Sequence, residues 1–406
     1  MNEIDKMNGM VKLSQRIQNV PASPIRKWVP LADAAKMRGI KIIHLNIGDP
    51  DMVIPKVMTE RLKVWEGGIP YAHSQGDSEL LGALEGYYHR LGYKYINKAN
   101  IQVSVGGSEA LAMAMAACCE SGDEVVVFEP FFVGYASLAP VYNVTLKPIR
   151  TKLETGFHLP PRAEIEAQIS DKTKAILFTN PNNPTGTVFT RAEVEILIDI
   201  AHQRNLWLWA DEVYREFVFD GLEGVSLLKY MPEMPDQLIV LDSLSKRYSA
   251  PGLRLGMFVS LNEELMAGVL RMAMGRLSAG FIDQKVAAQL VQVSHEEILA
   301  VRNEYQRRRD VVYAGLSKIP GLSIHKPEGA FYCVVGLPVP DAEAFCKFLL
   351  TDFDDNGETV MLTPMSGFYA TPGIGGNEVR VAFVVGVERL QRAVEILAKT
   401  FVEFSH

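Results

Sequence analysis

The segment SLSKRYSAPGLRLG, residues 243–256, sets one lysine, Lys246, among serines and glycines. Lysines on a solvated surface usually have polar neighbours, whereas small neighbours leave room for a bulky bound molecule. In a confined, partly desolvated site the pKa of a lysine falls, and the neutral amine is then a nucleophile toward carbonyls and a general base. Arg254, further along the segment, adds a planar cation suited to an anion. The segment therefore predicts a ligand site around Lys246.

Apolar, strand-like stretches flank this segment and alternate with helix-like stretches. The strand-like stretches are residues 101–105, 123–130, 144–149, 173–180, 206–213, 237–245 and 253–260. They are apolar almost throughout, as expected of strands that are covered on both faces. The alternation predicts an α/β fold, with a mostly parallel seven-stranded sheet in a large domain and helices on both faces of that sheet.

A second, smaller unit is indicated nearer the C-terminus. Residues 283–319 predict one long helix that bridges two domains. Short strand-like stretches follow it, at residues 321–326, 330–336 and 378–384. Mixed with helices, they are typical of an α+β domain. We therefore predict a large domain over residues 61–295, a small domain over 296–406, and an N-terminal arm with part of the small domain over 1–60, irregular to about Leu31.

The composition excludes several classes of protein. A net charge of −7 over 406 residues argues against a general affinity for nucleic acids, which requires clustered surface cations. The longest apolar run, residues 111–119, is shorter than the roughly 18 residues that a membrane span needs, and the first residues lack the apolar core of a signal peptide. We therefore expect a soluble cytoplasmic protein. The cysteines lack metal-ligand spacing, so no metal site is predicted.

Polar motifs follow three other predicted strands, at the edge where ligands of α/β sheets gather. GGSEA, residues 106–110, opens a helix whose free N–H groups suit a phosphate, although a simple N-cap at Ser108 explains the serine equally well. NPNNPTG, residues 180–186, can present Asn183 to a ligand or form an ordinary Asn-Pro turn. Asp211 ends a strongly apolar strand, so its carboxylate needs a partner. The occurrence of these motifs at successive strand ends indicates one shared site.

The chain resembles the class I/II aminotransferases of the aspartate aminotransferase superfamily, which are pyridoxal-phosphate enzymes of fold type I. The resemblance covers nearly the whole chain. Its most specific part is residues 243–256, which match at every position the family pattern S-x-S-K, two residues, small, apolar, x, G, x, R, apolar, G. NPNNPTG (180–186) and DEVY (211–214) stand in the order and at the distance typical of this family.

This resemblance implies a pyridoxal 5′-phosphate site. Lys246 corresponds to the lysine that bonds to the cofactor aldehyde and moves the proton between the substrate Cα and the cofactor. Asp211 corresponds to the residue that keeps the pyridine nitrogen protonated, and Tyr214, with Asn183, to the pair that contacts the phenolic oxygen. The implied phosphate ligands are the side chains of Ser108, Ser243, Ser245 and Arg254 and the backbone of Glu109. Phe132 corresponds to a ring stacked on the pyridine, a role compatible with core packing.

Substrate-binding and partner-contacting residues are implied in the same way. Arg380 matches the arginine that grips the substrate α-carboxylate, and Gly48 matches a backbone donor in the arm that closes over the substrate. Tyr71 matches a tyrosine that reaches the phosphate of the neighbouring subunit's cofactor, which implies a homodimer with shared active sites. Arg276 lies near the position of an arginine from the partner subunit that reads distal carboxylates. Capping of the preceding helix explains Arg276 equally well.

The implied activity is transfer of an amino group from an L-amino acid, with an aspartate-like donor favoured, to a 2-oxo acid such as 2-oxoglutarate, by a ping-pong mechanism. Two alternatives stay open. A carbon–sulfur lyase or an oxidase keeps Lys246, Asp211 and Arg254 on the same scaffold. A non-catalytic, aminotransferase-like regulatory domain is the more remote alternative. That class normally carries a basic DNA-binding domain ahead of the cofactor domain, whereas here only a short arm precedes the aminotransferase pattern.

Overall fold

The computed structural model describes residues 11–404, and predictions about residues 1–10, including the lack of a signal-peptide core, lie outside the described residues. The strands are β1 (Lys41–His44), β2 (Ile101–Ser104), β3 (Glu124–Glu129), β4 (Thr145–Arg150), β5 (Thr173–Thr179), β6 (Trp207–Asp211), β7 (Leu238–Ser243), β8 (Gly256–Val259), β9 (Ser323–Ile324), β10 (Tyr332–Gly336), β11 (Glu358–Met361), β12 (Thr363–Pro364) and β13 (Glu378–Ala382). The α-helices are α1 (Gln15–Gln18), α2 (Val29–Met37), α3 (Lys56–Lys63), α4 (Ser78–Arg90), α5 (Gly106–Cys118), α6 (Gly134–Leu138), α7 (Arg162–Glu166), α8 (Arg191–Arg204), α9 (Leu244–Arg247), α10 (Glu263–Arg276), α11 (Phe281–Ala287), α12 (His295–Leu316), α13 (Ala342–Thr351) and α14 (Val387–Phe404). Within the described part of the chain, no helix has both the length and the apolarity to cross a membrane.

The seven predicted strands form one sheet in the order β2-β8-β7-β6-β5-β3-β4. β8 runs antiparallel to both of its neighbours and the other neighbouring pairs are parallel, so the predicted mostly parallel sheet is confirmed. Successive residues of a strand point to opposite faces. Along β3, Val126 and Phe128 join the core that contains α4 and α8, whereas Val125 and Val127 join the core that contains α5 and α10. Helices therefore cover both faces of the sheet.

A four-stranded antiparallel sheet in the order β12-β13-β10-β9 makes up the second unit, and β1 pairs with β11 in parallel. Its buried residues form a core of their own with α2, α13 and α14. The predicted α+β character is confirmed, and β9, β10 and β13 occupy the predicted stretches. The sequence did not predict β1, β11 and β12, because stretches of two to four residues are too short to show the alternation of apolar and polar residues that indicates a strand. The predicted domain boundaries near residues 60 and 295 remain predictions.

The prediction of one long helix over residues 283–319 is wrong. The chain forms α11, a 3-10 turn over residues 288–292 and then α12. Ser294 ends the continuity, because its side chain accepts a hydrogen bond from Glu297 N while the Glu297 carboxylate accepts one from Ser294 N. This capping box satisfies backbone donors at the start of α12 and makes a new helix start favourable there.

The N-terminal arm is more ordered than predicted. It contains α1 and a 3-10 turn over Arg26–Trp28, and α2 already begins at Val29. Pro24 and Trp28 are buried. These buried apolar side chains fix the path of the arm against the rest of the chain.

Candidate active site

The carboxyl ends of β6 and β7 open onto a cavity of about 590 Å³. The residues predicted from the sequence that line it are Gly48, Ser108, Phe132, Asn183, Asp211, Tyr214, Ser243, Ser245, Lys246, Arg254 and Arg380. Three others, Tyr71, Glu109 and Arg276, are not among its lining residues. Parallel strands bring these distant parts of the chain together, because their carboxyl ends lie at one edge of the sheet.

Lys246 lies in α9, in the turn that follows β7. Its Nζ donates a hydrogen bond of 2.8 Å to the carbonyl oxygen of Gly48, which belongs to the N-terminal part of the chain. The pKa of Lys246 is lowered to about 8, chiefly because burial penalises the charged amine. The positive charges of Arg380 and Arg254 lower it further, against the opposing charge of Asp49. The amine is therefore ready to lose its proton near neutral pH, as a nucleophile or general base must.

Asp211 stands at the end of β6 and lines the cavity. Its Oδ2 accepts a hydrogen bond of 2.8 Å from the Tyr135 hydroxyl, which also lies 2.7 Å from Thr179 Oγ1. Burial raises the pKa of Asp211 to about 6, although the bond from Tyr135 opposes the rise. Phe132 meets the Tyr135 ring edge-on, with centroids 5.7 Å apart. Tyr135 was not predicted from the sequence, although it follows the predicted site residue Phe132 by three positions.

Arg380, on β13, is buried against the same cavity. Its Nη1 donates to Asn183 Oδ1 at 3.1 Å and its Nη2 to the Asn46 carbonyl oxygen at 2.8 Å, while its Nε has no partner. Among the described residues no carboxylate forms a salt bridge with it, and burial lowers its pKa. A buried cation without an anion is unfavourable. This guanidinium therefore suits an anionic group of a ligand.

Two tyrosines, Tyr214 and Tyr332, line the cavity together with Lys246 and Arg380. The Tyr214 hydroxyl lies 3.0 Å from that of Tyr332 and 3.5 Å from Asn183 Nδ2. Tyr332 was missed, because in the apolar strand β10 it is indistinguishable from a core residue. It also explains Gly48, since a Cβ at that position would lie 1.7 Å from the Tyr332 hydroxyl oxygen.

The start of α5 and the turn after β7 form a cradle for an anion. Gly106 has a positive φ of 75°, and a Cβ there would lie 2.4 Å from Arg254 Nη2. Glycine thus lets the helix start approach the guanidinium. Ser243 Oγ lies 2.8 Å from Ser245 Oγ on the other side. Hydroxyls, a guanidinium and free helix N–H groups are the donors that a phosphate requires.

Arg276 and Tyr71 do not line the cavity. Arg276 Nε donates to Glu109 Oε1 at 2.7 Å and its Nη2 to the Val103 carbonyl oxygen at 2.8 Å. Tyr71 is 80% exposed. A role of Arg276 or Tyr71 at the active site would therefore need a second subunit, and both assignments stay predictions.

Together these groups fit pyridoxal 5′-phosphate. A buried amine with a lowered pKa suits an aldehyde, and a buried carboxylate suits a pyridine N–H. The cradle at α5 suits the phosphate. The orphaned Nε of Arg380 leaves an anion-binding group for a substrate.

Comparison with known proteins agrees with this reading. The family model for aminotransferases of class I and II matches residues 40–397. An aspartate aminotransferase of Thermotoga maritima is 30% identical, with 94% of this chain and 97% of that protein covered. An aromatic-amino-acid aminotransferase of Thermococcus litoralis is 30% identical, with 96% and 98% covered. The crystal structure of a Thermotoga maritima aspartate aminotransferase superimposes with a TM-score of 0.87 at 29% identity, covering 96% of this chain and 100% of that one. This chain belongs to the class I and II aminotransferases.

Proposed function

We propose that this chain transfers the amino group of an L-amino acid, with an acidic donor such as aspartate favoured, to a 2-oxo acid such as 2-oxoglutarate. The proposal includes pyridoxal 5′-phosphate as cofactor and a ping-pong mechanism. The proposal rests on Arg380. Its buried guanidinium has no carboxylate partner in residues 11–404 and lines the same cavity as Lys246. The similarity to an aspartate aminotransferase supports the acidic donor.

The chain offers a partner for each polar group of the cofactor. When bound, pyridoxal 5′-phosphate supplies an electron sink for the electrons released at the substrate Cα. The phosphate ligands would be Arg254, Ser108, Ser243, Ser245 and the backbone at Glu109. Asp211, oriented by Tyr135, would hold a proton at the pyridine nitrogen. Tyr214 and Asn183 would bind the phenolic oxygen, and Phe132 would cover the ring.

Lys246 is the proposed proton carrier. With a pKa of about 8, part of its amine is neutral at neutral pH and can accept the proton from the substrate Cα. The Gly48 carbonyl oxygen orients Nζ at the cavity wall. Arg380 would bind the α-carboxylate of the amino acid and then that of the 2-oxo acid. Because one arginine serves both molecules in turn, the first product must leave before the second substrate enters.

The decisive experiment follows a nitrogen label. The holoenzyme is incubated with ¹⁵N-aspartate and 2-oxoglutarate, and mass spectrometry measures ¹⁵N-glutamate. In a second assay the amino acid alone changes the visible absorption of the bound cofactor, and 2-oxoglutarate restores it after gel filtration. Arg380→Ala should lower kcat/KM on the order of 10²-fold for every donor. Release of ammonia or peroxide instead of labelled glutamate would favour the lyase or oxidase alternative.

We also infer a homodimer with shared sites. Exposed apolar side chains are numerous between residues 47 and 71, where Val53, Ile69 and Tyr71 are 87%, 69% and 80% exposed. Leu277, after α10, is exposed as well. This concentration of exposed apolar side chains in one stretch of the chain supports a contact with another protein surface there. A second copy of the chain would cover these side chains and bring Tyr71 to the neighbouring site.

A further inference from the structure

Arg26 is a further cation at the active-site cavity, in addition to Lys246, Arg254 and Arg380. With Ile25, it lines the same cavity as Lys246 and Arg380, although it comes from the N-terminal arm. Its backbone N–H donates to Ser23 Oγ at 3.2 Å. The Arg26 side chain is exposed at the cavity edge, and its guanidinium forms no hydrogen bond or salt bridge with residues 11–404. Arg380 and Lys246, which are more buried, both have backbone partners.

The arm holds Arg26 in place by packing on both sides of it. Pro24 is buried and packs against Gly367, where an added Cβ would lie 2.6 Å from the proline Cβ. Ile25 packs on the small core that contains Phe368, and the Phe368 ring lies 5.0 Å from the Arg380 guanidinium carbon. Trp28 is buried two residues further on. The backbone of Arg26 is therefore anchored beside the predicted α-carboxylate site.

The charges around the cavity leave Arg26 without a counterion. The charged lining residues are Arg26, Asp211, Lys246, Arg254 and Arg380. In the proposed function Arg254 meets the phosphate, Arg380 the α-carboxylate and Asp211 the pyridine nitrogen. Arg26 is the remaining permanent cation, and a guanidinium binds a carboxylate through two parallel hydrogen bonds.

We propose that Arg26 binds the side-chain carboxylate of a dicarboxylic amino acid, and that of the matching 2-oxo acid, from within the same subunit. This inference rests on the proposed function. It is an alternative to the predicted role of Arg276 in the partner subunit's site, since within its own subunit Arg276 pairs with Glu109 at 2.7 Å and does not line the cavity.

The test compares Arg26→Gln and Arg26→Lys with Lys27→Gln as the matched control. Lys27 is adjacent but pairs with Glu343 at 2.6 Å and does not line the cavity. The measured quantity is the ratio of kcat/KM for L-aspartate to kcat/KM for L-alanine. Arg26→Gln should lower this ratio about 10- to 100-fold, Arg26→Lys should lower it less, and Lys27→Gln should leave it unchanged.

The affinities of the holoenzyme for succinate and for butyrate, measured by isothermal titration calorimetry, test this inference separately from the proposed function. Succinate carries two carboxylates and butyrate one, and neither has an amino group to transfer. Arg26→Gln should weaken succinate binding, so that the ratio of the succinate affinity to the butyrate affinity falls to about one. This result does not require that the enzyme transfers an amino group. An unchanged preference in Arg26→Gln, or a loss of preference in Arg276→Gln instead, would overturn the role of Arg26.

Discussion

At the scale of single residues, the active site is a set of charges in unfavourable surroundings. Lys246 has a pKa of about 8 and Asp211 one of about 6, because burial disfavours the charged form of both side chains. Such groups reduce the stability of the cofactor-free protein and are suited to proton transfer at neutral pH.

Lys246→Met should therefore stabilise the cofactor-free protein. The folded pKa of about 8 lies below the ordinary 10.5, so the full cost of burying the charged amine is present below pH 8 and disappears as the pH rises toward 10.5. We expect a gain on the order of 1–3 kcal/mol at pH 7 and a smaller gain at pH 10. Urea unfolding at both pH values measures it, with the exposed Lys318→Met as control. An equal effect of Lys246→Met at the two pH values would contradict a lowered pKa.

Tyr135→Phe should impair the reaction through Asp211. The Tyr135 hydroxyl donates to the charged carboxylate, so its loss raises the pKa of Asp211 further and leaves less carboxylate to hold the proton at the pyridine nitrogen. We expect the rate of the amino-acid half-reaction to fall about 3- to 10-fold, with the acid limb of its pH profile moved to higher pH. Stopped-flow absorbance measures both. Asp211→Asn sets the lower limit of the rate, and a pH profile that does not move would show that Tyr135 acts only in packing.

At the scale of elements, close contacts and charged links hold the site together. His158 Nδ1 lies 3.0 Å from Glu193, on α8, and its Nε2 lies 3.5 Å from Glu328, in the loop before β10. The two carboxylates raise the pKa of His158 to about 10. The imidazolium therefore links the layer of α8 to the second sheet across the physiological pH range.

His158→Gln should destabilise the protein in a pH-dependent way. The folded pKa lies above the ordinary 6.5, so the stabilisation is complete below pH 6.5 and is lost as the pH rises through about 10. Because the side chain is 28% exposed, screening limits the expected cost to about 1 kcal/mol at pH 6.5. Guanidinium unfolding at pH 6.5 and pH 10.5 measures the difference. A cost that stays constant between these pH values would exclude the charged link.

Gly256→Ala tests the contact between β8 and α5. An added Cβ would lie 2.4 Å from the carbonyl carbon of Gly106 and 2.6 Å from Gly107 N, and backbone atoms cannot rotate away. We expect a loss of about 2 kcal/mol or more in unfolding free energy, and weaker binding of the cofactor phosphate. Gly252→Ala is the control, because no atom lies within 4 Å of its added Cβ. Equal stability of the two variants would show that the contact is relaxed in solution.

At the scale of the whole molecule, we expect two subunits to share each active site. Lys246→Ala dimers should lack activity, and Tyr71→Phe dimers should bind the cofactor more weakly. Mixed dimers contain one site with both native residues and should regain tight binding and turnover at that site. Sedimentation velocity establishes the dimer, and a cofactor titration of the re-associated mixture tests the sharing. A monomer in solution, or a mixture no better than the average of its parents, would remove the shared site.

The sequence by itself determined the features that depend on local pattern. Buried strands require continuous apolar runs, so the seven strands of the large sheet were predictable, as was the α+β character of the second unit. The segment 243–256 was equally informative, since a cofactor leaves room only for small residues at set intervals. The strand ends then indicated Asp211 and Asn183.

Only the tertiary structure decided which distant residues meet. Tyr135 under Asp211, Tyr332 against Gly48 and Arg26 beside the cavity depend on contacts between remote parts of the chain, and each of these residues has an ordinary local context. The start of a new helix at His295 was not predicted, because the capping box of Ser294 and Glu297 leaves the helical periodicity of apolar residues almost unchanged. Local pattern specifies which elements form, whereas packing of those elements specifies which side chains share a site.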